Sequence, residues 1–271
     1  MIVVTGATGN VGGRLVALLA AAGERVTAVS RRAAALPEGV RHVRADLEDP
    51  AGLKDALDGA DALFLLVAGQ DPQAILDAAR AGGVRRVVLL SSQGAGTRPQ
   101  FYGHPAAFED AVRRSGLEWT ILRPGGFHSN AYAWAESVRG GRTIAAPFGD
   151  VGLPTVDPDD IAEVAAAVLR EDGHAGRVYE LTGPAPTTPR ERAAAIGDAL
   201  GTPVRFTEQT REEARAQMLH FMPEQVVEGT LAILGEPLEA ERRAGPDVER
   251  VLGRAPRSFA DWAVRNVAAF R

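Results

Sequence analysis

The chain has 271 residues, 45% apolar and 24% charged, enough to bury one substantial core, or a core with a smaller lobe. Its formal net charge of −5 gives no overall field that would attract phosphate backbones, which argues against nucleic-acid binding. The absence of cysteine excludes disulfides, thiolate nucleophiles and thiolate metal sites. With no long apolar run, we expect a cytoplasmic protein that does not contact membranes.

Short apolar runs in the first half of the chain predict parallel strands. Segments of helical character separate most of these runs, as in βαβ units. Between the second and third runs a short segment with Pro37 and Gly39 predicts a loop instead. The pattern predicts an α/β fold, a doubly wound (Rossmann-type) parallel sheet, with strands within residues 2–5, 25–30, 40–45, 62–68, 86–92 and 118–124.

The second half of the chain is less regular. The pattern predicts a helix from Ser129 to Arg139, another that begins near Pro158, a strand in "RVYELTGP", and further helices up to Gly235. An amphipathic helix is predicted in "SFADWAVRNVAAF" near the end. We therefore expect a core at 1–128 and a smaller, mostly helical lobe at 129–271, interleaved as one structural unit.

A glycine-rich loop, "TGATGNVGGRL", follows the first strand and opens a helix. In this context small residues let the backbone approach a pyrophosphate, which then lies on the helix N-terminus. The alternative is a tight turn that serves only packing. We predict dinucleotide binding by the loop residues Gly6, Thr8, Gly9, Asn10, Val11 and Gly12.

The second strand ends in Ser30, Arg31 and Arg32. At this point a site selective for NAD usually has an acidic residue that binds the ribose hydroxyls. A guanidinium instead suits a phosphate, because its forked donors match the phosphate oxygens. We therefore predict NADP as the cofactor, with NAD and two merely solvated arginines as the alternatives.

The motifs "TGATGNVG", "RADLEDP", "SGLEWTILRPGGF" and "YELTGP" together resemble the NmrA-like group of atypical short-chain dehydrogenases along essentially the whole chain. The resemblance implies that cofactor-binding residues also follow the later strands, in agreement with the rule that ligands bind beyond the carboxyl ends of parallel strands. These residues are Asp46 and Leu47 at the adenine, Val67, Ala68 and Gly69 along the dinucleotide, Ser91 and Ser92 beside the nicotinamide, and the loop from Pro124 to Phe127 under its amide.

The catalytic pair of typical short-chain dehydrogenases, Tyr-x-x-x-Lys, is incomplete. Tyr102 is followed four residues later by Ala106, and the only lysine, Lys54, lies in a segment that predicts a surface helix. Without a cationic neighbour a tyrosine is a poor base. His104, with Glu109 a turn later as in the family, is the other catalytic candidate, unless it is only an exposed residue at a helix start.

Aromatic and apolar residues predict a substrate cleft for a small hydrophobic or aromatic ligand, although such residues at helical spacing are more often ordinary core. The candidate lining residues are Phe101, His128, Asn130, Trp134, Met218 and Phe221. We expect no metal, because the carboxylates of "VDPDDIA" need only cap a helix. The protein is expected to be a monomer or a homodimer.

Three functions are compatible with these patterns. The first is an NADP(H)-dependent oxidoreductase acting on a flat quinone or aromatic substrate, in which the protein positions the cofactor that performs the chemistry. The second is a non-catalytic sensor of the NADP/NADPH ratio, which the missing lysine favours. The third, which the resemblance suggests, is an aromatic polyketide tailoring enzyme that performs an oxygenation with the cofactor as a helper.

Overall fold

The computed structural model describes residues 1–33 and 35–271. The strands follow the apolar runs of the sequence, because side chains in a covered parallel sheet are buried on both faces. They are β1 (Ile2–Thr5), β2 (Val26–Ser30), β3 (Arg41–Arg44), β4 (Ala62–Leu66), β5 (Arg86–Leu90), β6 (Glu118–Pro124), β7 (Thr143–Pro147), β8 (Arg177–Leu181) and β9 (Arg205–Gln209).

The helices alternate with the strands in the first half of the chain and dominate the end of it. They are α1 (Gly12–Ala21), α2 (Lys54–Leu57), α3 (Pro72–Ala81), α4 (Gln93–Thr97), α5 (Gly103–Arg114), α6 (Ala135–Gly141), α7 (Pro158–Arg170), α8 (Pro189–Leu200), α9 (Arg211–Met218), α10 (Glu224–Gly235), α11 (Glu239–Arg242), α12 (Asp247–Leu252) and α13 (Phe259–Arg265). Short 3₁₀ helices span Pro50–Leu53, His128–Trp134 and Val267–Phe270.

A seven-stranded sheet has the order β3-β2-β1-β4-β5-β6-β8. The pairs from β3 through to β6 are all parallel. The order turns at β1, from which the chain proceeds first to one edge and then to the other, and the predicted doubly wound sheet is confirmed. The carboxyl ends of these strands therefore lie along one edge of the sheet, where ligands bind in open α/β folds.

The chain forms two compact units. The first consists of residues 1–95, 103–124 and 158–180, and the second of 96–102, 125–157 and 181–271. Residues 158–180, which the division at residue 128 assigns to the C-terminal lobe, thus belong to the sheet unit. They contribute α7 and most of β8.

The first unit has its core between the sheet and the helices. Alternate residues of the central strands, such as Val3, Leu63 and Leu89, pack with α3 and α5 residues such as Leu76 and Phe108. This core fixes the positions of the strand ends, and with them the positions of the loops that follow.

The second unit has apolar cores of its own. One contains Val138, Ile144, Ile196, Trp262 and Phe270, contributed by α6, β7, α8 and the C-terminal segment. The amphipathic segment near the end of the chain thus forms α13 and packs within this core, as its apolar face predicts.

Three details of the second half and of the segment after β3 differ from the sequence-based expectation. The helix predicted from Ser129 begins as a 3₁₀ helix and becomes α-helical at Ala135, a common way for a helix to start. The predicted helix around Lys54 is one 3₁₀ turn followed by one α-helical turn. A parallel pair of strands, β7 and β9, also occurs in the otherwise mostly helical second unit.

Candidate functional site

The loop between β1 and α1 makes a turn that only glycine fits at two positions. Gly6 has a φ of 63°, and a Cβ on Gly12 would lie 2.2 Å from the carbonyl oxygen of Gly6. The N–H of Gly9 donates to the same oxygen at 2.9 Å. The surface of this loop is therefore backbone, with room for a ligand to approach it closely.

The N-terminus of α1 has features that suit an anion. Its N-cap, Val11, provides no capping hydrogen bond, and no acidic residue occurs in the first turn. A helix start has backbone N–H groups without helical partners and a partial positive charge, which together favour a phosphate. The loop and the helix start therefore fit a dinucleotide pyrophosphate.

The other cofactor candidates follow the carboxyl ends of neighbouring strands. The loops after β3 and β4 meet, because a Cβ on Gly69 would lie 2.3 Å from the carbonyl oxygen of Leu47. The first unit holds all the candidates but one: Phe127 belongs to the second unit. Those in the first unit are Gly6, Thr8, Gly9, Asn10, Val11, Gly12, Ser30, Arg31, Arg32, Asp46, Leu47, Val67, Ala68, Gly69, Ser91, Ser92 and Pro124.

Ser30 closes the turn that carries the two arginines after β2. Its hydroxyl donates to the carbonyl oxygen of Arg32 at 2.6 Å. The side chains of Arg31 and Arg32 are exposed. Within residues 1–33 and 35–271, neither of them has an ion-pair partner, which leaves both guanidinium groups available to an external anion.

His104 lies at the start of α5 and contacts the loop after β4. Its Nε2 is 2.8 Å from the carbonyl oxygen of Gly69. Since a carbonyl only accepts, Nε2 carries the hydrogen, and Nδ1 is the nitrogen that can gain or lose a proton. The ring is exposed and packs edge-on against Phe108 at 5.1 Å between centroids. His104 therefore lies among the cofactor candidates, with its Nε2 engaged by Gly69.

Tyr102 is less suited to proton transfer. Its hydroxyl lies 3.4 Å from the Thr230 hydroxyl of α10. Burial raises the pKa of Tyr102 above 10.0, and the weak hydrogen bond from Thr230 does not offset this effect. The missing lysine has no substitute in Lys54, which is exposed at the start of α2. The phenol thus stays protonated and cannot act as a base near neutral pH.

Glu109 is engaged by residues other than His104. Its buried carboxylate accepts hydrogen bonds from Ser91 Oγ at 2.7 Å, from Arg123 at 2.9 and 2.7 Å, and from Arg113 at 2.8 Å. Burial raises the pKa of Glu109, but the hydrogen bonds from Arg123 and Ser91 outweigh burial and hold it below its usual value. The carboxylate therefore stays ionised and anchors the end of β5. Arg123, fully engaged here, is not available to activate a phenol.

The residues predicted to line a cleft all lie in the second unit, in different surroundings. His128 is 2% exposed, its Nδ1 is 2.9 Å from Thr155 Oγ1, and its ring packs against Phe259 and Trp262. This histidine is therefore a packed core residue. The prediction was that His128 lines an open cleft, and its burial does not agree with that prediction. Trp134 also packs against this core.

The remaining cleft candidates lie toward the surface or against α10. Phe101 packs closely on α10, where a Cβ on Gly229 would lie 2.6 Å from the Phe101 Cβ. Met218 packs against a small apolar cluster on α9 and α10. Asn130 is exposed, and Phe221 is 73% exposed. A role of these four residues in substrate binding stays a prediction.

Within residues 1–33 and 35–271, no group of three or more His, Cys, Asp or Glu side chains is placed to hold a metal ion. The same residues contain no helix with both the length and the apolar character needed to cross a membrane.

Comparison with known proteins identifies the family. The sequence profile of a family described as NAD(P)H-binding matches residues 6–172, which include the glycine loop, every strand end of the first unit up to β6, and α7. The chain belongs to this NAD(P)H-binding family. The prediction made from the motifs, a chain that binds NAD(P), is thereby confirmed.

Two full-length relatives are reductases. The chain is 37% identical to a (4-alkanoyl-5-oxo-2,5-dihydrofuran-3-yl)methyl phosphate reductase of Streptomyces griseus, over 100% of this chain and 99% of the relative. It is 34% identical to an NAD(P)H azoreductase of Xenophilus azovorans, again over 100% and 99%. These relatives support the general class of the predicted function, which is an oxidoreductase that uses NAD(P)H.

Solved structures show the same fold. The NADPH complex of the quinone oxidoreductase QOR2 from Escherichia coli superposes with a TM-score of 0.81 at 24% identity, covering 98% of this chain and 99% of the other. NmrA, a negative transcriptional regulator in complex with NADP, superposes with a TM-score of 0.76 at 19% identity, covering 98% and 95%. At these identities the likeness concerns the fold alone.

Proposed function

We propose that the protein is an NADPH-dependent reductase that transfers a hydride to an electron-poor, conjugated acceptor such as a quinone or an azo compound. The observation that carries the proposal is that Tyr102 lacks its lysine and has its hydroxyl beside Thr230, in a chain with a complete dinucleotide loop. For a quinone the balanced reaction is NADPH + H⁺ + quinone → NADP⁺ + hydroquinone. Bound NADPH would supply the hydride, and the residues of this chain would hold the reactants and manage the proton.

The kind of acceptor follows from the lack of a lysine that would make Tyr102 a stronger acid. Hydride addition to a simple ketone creates a strongly basic alkoxide, so reduction needs a well-placed general acid. Hydride addition to a quinone creates a stabilised phenolate-type anion, which water can protonate afterwards. Because burial keeps the pKa of Tyr102 high, and no lysine lowers it, acceptors of the second kind are the better match.

The relatives are consistent with this choice. The azoreductase of Xenophilus azovorans is named for an N=N acceptor. The quinone oxidoreductase 2 of Escherichia coli is 31% identical to this chain over 76% of it and 77% of the relative. The Streptomyces griseus enzyme is named for a ring double bond conjugated to carbonyl groups. All three names describe acceptors that delocalise the added electrons.

The side chains would have distinct roles toward the cofactor. The backbone of Gly6 to Gly12 would hold the pyrophosphate at the start of α1, and Arg31 and Arg32 would favour NADP over NAD through its 2′-phosphate. His104, with Nε2 fixed by Gly69, would present Nδ1 as the proton carrier where one is needed.

The test is turnover of NADPH with three acceptors: a naphthoquinone, an azo dye and a simple aryl ketone. We expect the first two to be reduced and the ketone to be inert. Equal rates with the ketone would contradict the proposal. Binding of NADPH by calorimetry without reduction of any acceptor would instead favour the sensor, and oxygen consumption coupled to hydroxylation would favour the oxygenase.

A second measurement addresses His104. If His104 rather than water delivers the proton, replacing it with alanine should slow turnover with the naphthoquinone and the azo dye, while NADPH affinity stays within about twofold, as for most exposed substitutions. Unchanged turnover with every acceptor would remove His104 from the mechanism and leave protonation to water.

A further inference from the structure

Basic residues of β3 lie beside the end of β2. In the parallel register Ser30 is opposite Arg44, and Ala28 is opposite His42. Paired residues of adjacent strands point to the same face of a sheet, and neighbours along a strand alternate between faces. His42 and Arg44 therefore lie on the same face as Ser30, with Arg44 at the carboxyl end of the edge strand. Arg41, opposite Thr27, lies on the other face.

The hydroxyl of Ser30 links the two strands in a defined direction. It has one hydrogen, which it donates to the carbonyl oxygen of Arg32 at 2.6 Å. His42 Nε2 lies 2.9 Å from the same hydroxyl oxygen. Because the hydroxyl hydrogen is already used, His42 must donate from Nε2. The imidazole of β3 thus supports the turn that carries Arg31 and Arg32.

The charges at this corner are unbalanced. Arg31, Arg32 and Arg44 are all exposed, and in the part of the chain that the structure describes none of the three has an ion-pair partner. The acid closest in sequence to Arg44, Asp46, accepts a hydrogen bond from the backbone N–H of Glu48 at 3.2 Å. Exposed guanidinium groups that follow Ser30 and stand opposite it, with no ion-pair partner among the described residues, favour a phosphate dianion at this corner.

We propose that β3 completes the subsite for the 2′-phosphate of NADP: Arg44 contacts the phosphate, and His42 positions the Arg31–Arg32 turn through Ser30. The inference rests on the proposed preference for NADP. It adds two residues of β3, a strand that no motif of the sequence marks as part of a phosphate subsite. Arg44 is a binding residue, whereas His42 acts only through Ser30.

The experiment for Arg44 compares two exposed arginines of the same strand. Affinities for NADP⁺ and NAD⁺ are measured by calorimetry in the wild type, in Arg44→Ala and in Arg41→Ala. We expect Arg44→Ala to weaken NADP⁺ binding about tenfold, equivalent to about 1.4 kcal/mol. We expect its NAD⁺ affinity, and both affinities of Arg41→Ala, to stay within about twofold.

The experiment for His42 uses rescue by a side chain that keeps a donor. His42→Ala should weaken NADP⁺ binding about threefold or more, because the turn loses a hydrogen bond worth roughly 0.5–1.5 kcal/mol. His42→Gln, whose amide N–H can replace Nε2–H, should recover most of that affinity. In both variants NAD⁺ binding should be unchanged, a selectivity that general loss of structure would not produce.

The outcomes separate the two proposals. If the wild type prefers NADP⁺ but Arg44→Ala retains that preference as fully as Arg41→Ala, the role of Arg44 is overturned and the proposed function stands. If the wild type binds NADP⁺ no better than NAD⁺, the cofactor preference in the proposed function fails and the subsite fails with it. Equal weakening of both cofactors in His42→Ala and His42→Gln would overturn the positioning role of His42.

Discussion

Replacing Glu109 with glutamine should destabilise the protein strongly. The Glu109 side chain is 2% exposed and receives hydrogen bonds from Ser91, Arg113 and Arg123. Glutamine has the same shape, but its amide group would place hydrogens against the guanidinium hydrogens of Arg123. The variant therefore leaves a partly buried cation without its partner while removing almost no volume.

The loss of unfolding free energy depends on what still surrounds the Arg123 guanidinium once the Glu109 carboxylate is removed. Breaking a buried ion pair by removing one partner costs about 3–5 kcal/mol. We expect about 3 kcal/mol, the lower end of that range, because Arg123 retains a weaker contact with Glu180 at 3.8 Å. In a chain of this size a loss of 1 kcal/mol lowers the melting temperature by roughly 2–4 °C, so the variant should melt roughly 6–12 °C lower.

Thermal unfolding followed by circular dichroism would measure the difference, with Asp110→Asn as the matched control. Asp110 is the next residue of α5, 62% exposed and 3.6 Å from Arg113, and its replacement should cost at most about 0.5 kcal/mol. If Glu109→Gln melts within the range of this control, the reasoning about the buried pair is wrong.

The difference in stability between the wild type and Glu109→Gln should depend on pH. The pKa of Glu109 is lowered in the folded state, so its contribution to stability is complete above the unfolded pKa, near 4.3, and is lost as the pH falls through the lower folded value. The difference in melting temperature between wild type and Glu109→Gln should therefore be constant near neutral pH and shrink below about pH 4. A difference that grows on acidification would refute the assignment.

Three further substitutions test the site. Arg31→Ala with Arg32→Ala should weaken NADP⁺ binding by about tenfold or more, as charge-assisted bonds of roughly 1.5–3 kcal/mol are lost, and spare NAD⁺; equal weakening of both in calorimetry would count against it. Gly12→Ala should abolish binding of both cofactors, because its Cβ would lie 2.2 Å from a backbone oxygen. The control, Gly13→Ala, should bind both, because its Cβ would lie 3.5 Å from the nearest backbone oxygen. Normal binding by Gly12→Ala would show that this loop does not hold the cofactor. Tyr102→Phe should retain quinone reduction within about tenfold, since general acid–base groups otherwise supply about 10²- to 10⁴-fold, and a thousandfold loss with the fold intact would show that the phenol is activated by another route.

The sheet could be predicted because its signal is local. Runs such as "ALFLL" and the "VVLL" that follows Arg86 are apolar at every position, and the central strands are buried on both faces. The glycine loop is equally local, since the strand, the turn and the helix start follow each other directly. These segments therefore identified the fold class, and they predict the cofactor loop.

The features that sequence reasoning missed depend on pairing between distant segments. β7 and β9 are short strands about sixty residues apart, and neither has a pattern that distinguishes it from a loop. The burial of His128 depends on Phe259 and Trp262, which lie far along the chain. The place of Arg44 beside Ser30 follows only from the register of two edge strands. A basic strand after a basic turn was the available signal, and it becomes informative only with that register.

The ion pairs explain how the chain can do without the Tyr-x-x-x-Lys pair. In a short-chain dehydrogenase of the usual kind a lysine keeps a positive charge beside the phenol, and that charge lowers the barrier for protonating an alkoxide. Here the guanidinium whose charge acts on the Tyr102 phenol is that of Arg98, and it is paired with the buried carboxylate of Glu241 at 2.9 Å. Arg123 and the hydroxyl of Ser91 are both directed to Glu109. Among the described residues, these ion pairs stabilise the structure and hold their cations in place, so neither cation matches the free lysine of the usual pair. An acceptor that delocalises the added electrons needs no such lysine, and for this reason the chemistry of the acceptor, rather than a catalytic side chain, is expected to decide which compounds the proposed reductase would reduce.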